Sequence, residues 1–227
     1  MKSTLLILNI LCYLCISVIN ANAQYFPLTK DNLEAVKVTL SFEKMMGKNA
    51  VKVIKEEGFH TPDEPTFVKL KGIEFKNATF EVLVLSRLLS TAAPTARGFI
   101  GIVFRIKEDN SKFECIYIRP TNGRADDQIR RNHSIQYFSY PDYKFDRLRK
   151  ESPEQFESYA DMGLNEWIKL KILVNGNKAQ LFLNDNKQPS LIVNDLKLGA
   201  DLSGGIGLYV DNGTEGYFSD LKIYKSH

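Results

Sequence analysis

The chain has 227 residues, 44% apolar and 25% charged, and its 30 Lys and Arg against 27 Asp and Glu give a net charge of +3. A balance so near neutrality argues against a general nucleic-acid binder, whose affinity rests on an excess of cations. Cys12 and Cys15 lie in a removable leader (below), which leaves Cys115 with no intramolecular partner, so an apolar core must hold the fold without disulfides.

Residues 1–23 read as a secretory signal peptide: Lys2 gives a positive start, Leu5 to Ile19 is mostly apolar, and Ala21-Asn22-Ala23 offers a small-x-small cleavage site. The run is too short and wrongly flanked for a membrane anchor. A lipoprotein cut at Cys15 is the competing reading, but Tyr13 and Leu14 are not the small residues that such processing prefers. The expected product is a secreted or periplasmic chain, 24–227, with no membrane insertion after cleavage and, without Lys2, a charge lowered by one to +2. Its roughly 200 residues suit one β domain. Asn77, Asn132 and Asn212 head Asn-x-Ser/Thr triplets, glycan acceptors only in a eukaryotic source.

From Val36 onward apolar and polar residues alternate with a period of two, the mark of half-buried strands, in VKVTLSF, AVKVIK, TFVKLK and ATFEVLVLS. Turns are expected at Gly47-Lys48-Asn49, Thr61 to Pro65 and Lys76-Asn77, and a flexible rim loop at Ser90 to Arg97. Three further strands follow in RGFIGIVFRI, FECIYIRP and SIQYFSY, the last two joined by a charged loop carrying Asp126, Asp127, Arg130, Arg131 and His133. Ser152-Pro153-Glu154-Gln155 combines an N-cap, a proline at the first helical position and a capping-box glutamine, and predicts a short helical insertion. Phe145 and Leu148, three apart, allow a helical turn just before it. Strands resume in EWIKLKILV, KAQLFLN, SLIVNDLKL, GGIGLYV and EGYFSDLKIYK, with Asn175-Gly176 a strong hairpin signal. About a dozen strands and no long amphipathic helix predict an all-β sandwich.

The order and spacing of Phe75-Lys76-Asn77 before ATFEVLV, GFIGIVFR, ECIYIRP, SIQY, EWIKLKILVNGNKAQLFLN, GGIGLYV and the closing YFSDLKIY resemble the concanavalin A-like lectin/glucanase superfamily. Within it, the chain is similar to the secreted bacterial laminin-G-like and 3-keto-disaccharide hydrolase branch. The resemblance covers nearly all of 24–227 and implies a two-sheet antiparallel jelly-roll sandwich with ligands across a concave face. It leaves function open, since the superfamily holds hydrolases, lyases, lectins and adhesion modules.

Side-chain parity gives that face candidate residues. Phe99, Gly101, Val103 and Arg105 share one side of their strand, opposite the wholly apolar Ile100, Ile102, Phe104 and Ile106. Cys115, Tyr117 and Arg119 point one way and Glu114, Ile116 and Ile118 the other, while Ser134, Gln136 and Phe138 alternate with Ile135, Tyr137 and Ser139. If these strands are neighbours, Arg105, Tyr117, Arg119 and Gln136 form one polar-aromatic floor, with Asp126, Asp127, His133 and Tyr143 at its rim. Arginine forks, amides and aromatic faces are suited to sugars, including acidic ones. The alternative is that Arg105 and Arg119 pair with Glu114, Asp126 or Asp127 in an ion-pair network.

Glycoside hydrolysis needs two carboxyls, about 5–5.5 Å apart for retention or 6.5–9.5 Å for inversion. The Glu-x-Asp-x-x-Glu strand of the jelly-roll glucanases is absent, and ATFEVLVLS carries only Glu81. Asp127, Glu114 and His133 remain the catalytic candidates. Asp126-Asp127 also reads as a turn or a fragment of a Ca²⁺ site, but a structural calcium is not otherwise indicated, no cofactor is expected, and His60, His133 and His227 form no cluster suited to zinc. Cys115 reads as packing, Trp167 as core or edge packing, and Tyr140, Tyr143 and Phe145 as groove-rim aromatics. The leading expectation is a non-catalytic carbohydrate-binding module. A glycoside-cleaving enzyme comes second and a protein-interaction domain third.

Overall fold

The computed structural model describes residues 24–225. The leader expected over 1–23 and His227 lie outside the described residues. Two antiparallel sheets face each other. The first runs β13 (Leu191–Val193), β12 (Lys178–Leu183), β11 (Ile168–Asn175), β6 (Ala78–Leu88), β15 (Thr214–Lys225), β4 (Lys48–Lys55), β3 (Val38–Met45), with β1 (Gln24–Tyr25) added to the far half of β15. The second runs β10 (Glu157–Ser158), β9 (Ile135–Tyr140), β8 (Phe113–Ile118), β7 (Ile100–Ile106), β14 (Gly205–Val210), β5 (Phe67–Leu70), β2 (Leu33–Val36).

The core lies between the sheets. Phe80, Val82 and Val84 of β6 and Leu170 and Ile172 of β11 are buried in one cluster with Ile100, Ile102, Phe104 and Ile116 of the second sheet, which is how alternating strands remove apolar surface from water. The fold is an all-β jelly-roll sandwich, as the alternation predicts. The Asn175-Gly176 hairpin forms as read: Asn175 faces Lys178 across the turn, and Gly176 takes a positive φ of 57° that a side chain would resist.

Three short helices, α1 (Pro120–Gly123), α2 (Gln128–Asn132) and α3 (Phe145–Glu151), all join strands of the second sheet. The helix expected from Ser152 is absent. Its N-terminal signature falls in turns, with Glu154 at a φ of +64°, because the chain must reverse there to place Glu157 opposite Gln136 of β9. The helix forms immediately before it, over Phe145–Glu151, where Phe145 and Leu148 lie on one face. The loop at 90–97 is built from turns, with Ala92 N donating to Leu89 O (2.9 Å) and Ala96 N to Ala93 O (2.9 Å).

Arg105 is a correction. Strands β7, β8 and β9 are neighbours as required, but β7 carries an irregularity opposite Gly205/Ile206: Phe104 pairs with Ile206 and Ile106 with Gly205, leaving Arg105 unpaired at a φ of +53°. Such a bulge breaks the alternation beyond it. Arg105 is fully buried beside Glu114, a residue of the core-facing side, and donates to Gly199 O (2.6 Å), Gly176 O (2.5 Å), Lys76 O (3.3 Å) and Glu114 Oε2 (3.3 Å). Glu114 Oε1 accepts from Tyr137 OH (2.8 Å) and Leu198 N (3.1 Å). The ion-pair alternative therefore describes Arg105 and Glu114, which are fully buried together.

Candidate functional site

The outward face of the second sheet is largely filled by the protein's own aromatics. Gly101 of β7 lies between Tyr117 of β8 and Tyr209 of β14. A Cβ there would come within 2.3 Å of Ile116 O, and without one the two tyrosine rings approach to 5.6 Å between centroids. Cys115, Phe138 and Phe113 complete a buried layer, in which burial pushes the Cys115 thiol well up. The loop after β4 and helix α3 close over it: Asp63 Oδ2 accepts from Phe145 N (2.7 Å), and Asp211 Oδ2 accepts from Asp63 N (3.0 Å) and Tyr209 OH (3.0 Å). Lys55 Nζ completes the Asp211 carboxylate at 2.6 Å. Asp63, fully enclosed and next to Asp211, is pushed up to about 7, first by loss of water and then by the neighbouring carboxylate.

An open cavity of about 540 Å³ remains at one end of this face, lined by Arg97, Arg119, Arg130, Arg149, His60 and His133, with Phe99, Tyr117 and Phe145 as apolar walls and Asp211 as the carboxylate of its lining. The pairing of β8, β9 and β10 builds its floor: Tyr117 faces Gln136, which faces Glu157. Arg119, just past the end of β8, reaches across all three, donating to Tyr117 OH (2.7 Å), Gln136 Oε1 (3.3 Å), Glu157 Oε1 (3.3 Å) and His133 O (3.1 Å). Phe145 lies between two guanidiniums, Arg119 at 5.7 Å and Arg149 at 5.3 Å from its ring centre, in the range of cation–π attraction.

Glu157 gathers three partners: Arg119, Arg149, whose Nε donates at 3.0 Å, and His133, whose Nδ1 lies 2.9 Å from Oε2. Burial raises its pKa, but the bonds and charges of Arg149 with those of His133 and Arg119 outweigh that and hold it below the ordinary carboxylate range. His133 is pushed down, chiefly by burial and further by the two arginines, with Glu157 opposing. The lowered His133 pKa favours an uncharged imidazole beside the ionised Glu157 at neutral pH. Arg97 and Arg130 have no carboxylate partner among the described residues. Arg97 donates to the carbonyls of Pro94 (2.6 Å) and Ala96 (2.8 Å), and its pKa is lowered by burial and by the charges of Arg130 and Arg119.

Of the residues singled out by parity, Arg119, Tyr117, Gln136 and His133 meet here, with Gln136 fully buried under the floor. The others lie elsewhere. Asp127 caps α2, its Oδ1 accepting from Arg130 N (3.1 Å), and Asp126 is exposed beside it. Tyr143 packs under Arg147, 4.2 Å from its ring centre, away from the cavity. Of the rim aromatics only Phe145 lines the cavity. Trp167 packs with Met45, Ala50, Leu85 and Tyr217 in a small separate cluster. Sequence reasoning missed Arg97, Arg149, Glu157, Asp63 and Asp211. Glu157 and Asp211 stand alone in unremarkable stretches and come to the site only through strand pairing, whereas Arg149, one residue past Leu148 on the α3 pattern, could have been placed by extending that period. Among the described residues no three His, Cys, Asp or Glu side chains cluster in a way that could hold a metal, and no helix is long and apolar enough to cross a membrane.

No protein-family model matches the sequence, and no curated protein matches it. Solved structures do. Carbohydrate-binding module CBM66 from Bacillus subtilis superposes with a TM-score of 0.53 at 13% identity, over 85% of this chain and 98% of that one. A protein from Parabacteroides distasonis provisionally assigned as a glycosyl hydrolase gives 0.51 at 12% identity, over 90% of this chain and 100% of that one. The carbohydrate recognition domain of Emp46p gives 0.50 at 11% identity, over 86% and 88%. At such identities the likeness is one of fold. The chain has the two-sheet jelly-roll architecture that these glycan-related proteins share.

Proposed function

We propose that this chain is an exported carbohydrate-binding domain of the lectin-like kind, and that its ligand is an anionic glycan held by the cavity at the end of the second sheet. The observation that carries this is the set of four arginines around a cavity with aromatic walls, two of them, Arg97 and Arg130, without a carboxylate partner among the described residues. Guanidinium forks match carboxylate and sulfate oxygens, and ring faces suit the C–H surfaces of sugars. The glycan-related neighbours and the resemblance to laminin-G-like domains support the reading. Calorimetry with oligogalacturonate and with neutral xylo- and gluco-oligosaccharides tests it. The acidic ligand should bind and Arg130→Ala should weaken it roughly tenfold, about 1.4 kcal/mol, with melting temperature unchanged. Equal affinity for neutral and acidic sugars, or for neither, would overturn it.

One observation favours a second reading, a sugar-cleaving enzyme like the 3-keto-disaccharide hydrolases. Of the three catalytic candidates, Glu114 is under the sheet and Asp127 caps a helix, but His133 lines the cavity with Glu157 orienting it, a base-and-orienter pair suited to proton transfer. Product analysis after prolonged incubation, with His133→Ala beside the parent chain, separates the two. A bound glycan recovered intact from both excludes cleavage.

A further inference from the structure

Resting on the glycan reading, we infer that the site has two lobes and takes two consecutive units of a chain, an acidic sugar in the arginine cavity and an uncharged one in a second cavity beyond His133. That second cavity, about 280 Å³, is lined by Ile129, Asn132, His133, Glu154, Glu157, Ser158 and Tyr159. His133 borders both spaces, and Glu157, which lines the second, is bonded by Arg119 and Arg149 of the first. The two lobes are therefore two sides of one His133–Glu157 partition, and adjacent units of an oligosaccharide can occupy them together.

The lobes differ in chemistry. The first carries four guanidiniums, whereas the second has no Lys or Arg in its lining and presents Glu154, Asn132 and Ser158 as hydrogen-bonding groups. A carboxylate there would face Glu154 and Glu157, and the nearby Arg131 guanidinium is taken up by Tyr159, whereas sugar hydroxyls would find acceptors. The second lobe also has the platform that a sugar ring needs. Tyr159 is 41% and Ile129 70% exposed, and both line the second cavity. Tyr159 is held in place, its hydroxyl accepting from Arg131 Nη2 (2.7 Å) with the guanidinium 4.9 Å from the ring centre. A ring fixed before binding loses little rotamer freedom on stacking. The ligand class is a polymer in which uronic and uncharged hexose units alternate.

The probes are free glucuronate, the glucuronate–N-acetylglucosamine tetrasaccharide and trigalacturonate, titrated by calorimetry or NMR. The alternating tetrasaccharide should bind at least about tenfold more tightly than glucuronate and more tightly than trigalacturonate. Tyr159→Ala should erase most of that advantage and leave glucuronate affinity as it was. An alternating ligand no tighter than glucuronate, or trigalacturonate the tightest of the three, overturns the two-lobe assignment while leaving the glycan reading intact. Failure of every acidic probe overturns both. Because Tyr159→Ala could disturb the β10 segment, Ile129→Ser, at another lining residue of the same cavity, is measured in parallel. Both variants should lower tetrasaccharide affinity with unchanged melting temperatures, and an effect of neither overturns the assignment.

Discussion

Buried ionisable residues divide here into those that build the fold and those that face the cavity, and substitutions should tell them apart. Arg105 bonds Glu114 and three carbonyl oxygens, with both charged side chains fully buried. Removing one partner of such a pair leaves an uncompensated charge, so Arg105→Ala should cost about 3–5 kcal/mol in urea unfolding; a loss below about 1 kcal/mol would mean that solvent reaches Glu114. Asp63 gives a pH signature. In the unfolded chain an aspartate ionises near about 3.9, whereas in the fold Asp63 ionises near about 7. Between those values the native state holds a proton that the unfolded state has released, so stability falls as pH rises through the window and levels off above it. Asp63→Asn, which keeps an acceptor for Phe145 N, should be nearly neutral around the lower end of that window and stabilising above its upper end. Unfolding curves at both ends check this, and the same difference at both would show that Asp63 does not titrate in that range.

At the scale of elements, the strands were legible because period-two alternation reports a half-buried strand directly, as in KVTLSF and LKILVN, and the Asn175-Gly176 turn because its geometry demands a glycine. Parity predicted correctly which side of β7 enters the core as far as Phe104 and failed at Arg105, since a bulge is a matter of register against β14 and leaves no mark in the local pattern. The helix signature at Ser152 was overridden in the same way by the pairing of β10 with β9. Parity put Tyr117, Arg119 and Gln136 on one face of β8 and β9, as the pairing has them, whereas the approach of Glu157 and Asp211 to the cavity needed the sheet order itself. Helix α3 is the element whose role can be measured. Leu148 is buried in the main core cluster and the helix closes the aromatic layer. If α3 belongs to the cooperative core, Leu148→Ala should cost about 2–5 kcal/mol of global stability. If it is a flap that opens alone, the variant should leave global unfolding unchanged and only speed amide exchange within α3.

For the whole molecule, the sheet face on which a jelly roll is expected to bind is closed by Tyr117, Phe138, Tyr209 and the Asp63–Phe145 cover, and the open cavity lies at the end where the arginines collect. A net charge of +3 over 227 residues is too small to attract an acidic polymer at a distance, so any electrostatic contribution must come from that local cluster. The salt dependence of binding should reveal this. Exposed charges are screened over about 10 Å at 0.1 M salt and about 3 Å at 1 M, while enclosed contacts are screened much less. Oligogalacturonate affinity should therefore fall with added NaCl and then flatten as the contacts inside the cavity remain. The slope should shrink in Arg97→Ala and Arg130→Ala, whose guanidiniums have no carboxylate partner among the described residues. Lys76→Ala removes a cation outside the cavity already paired with Asp201 at 2.6 Å, so it should leave the slope unaltered. Equal slopes in all four proteins would place the attraction on the general surface and remove the cavity's claim to the ligand.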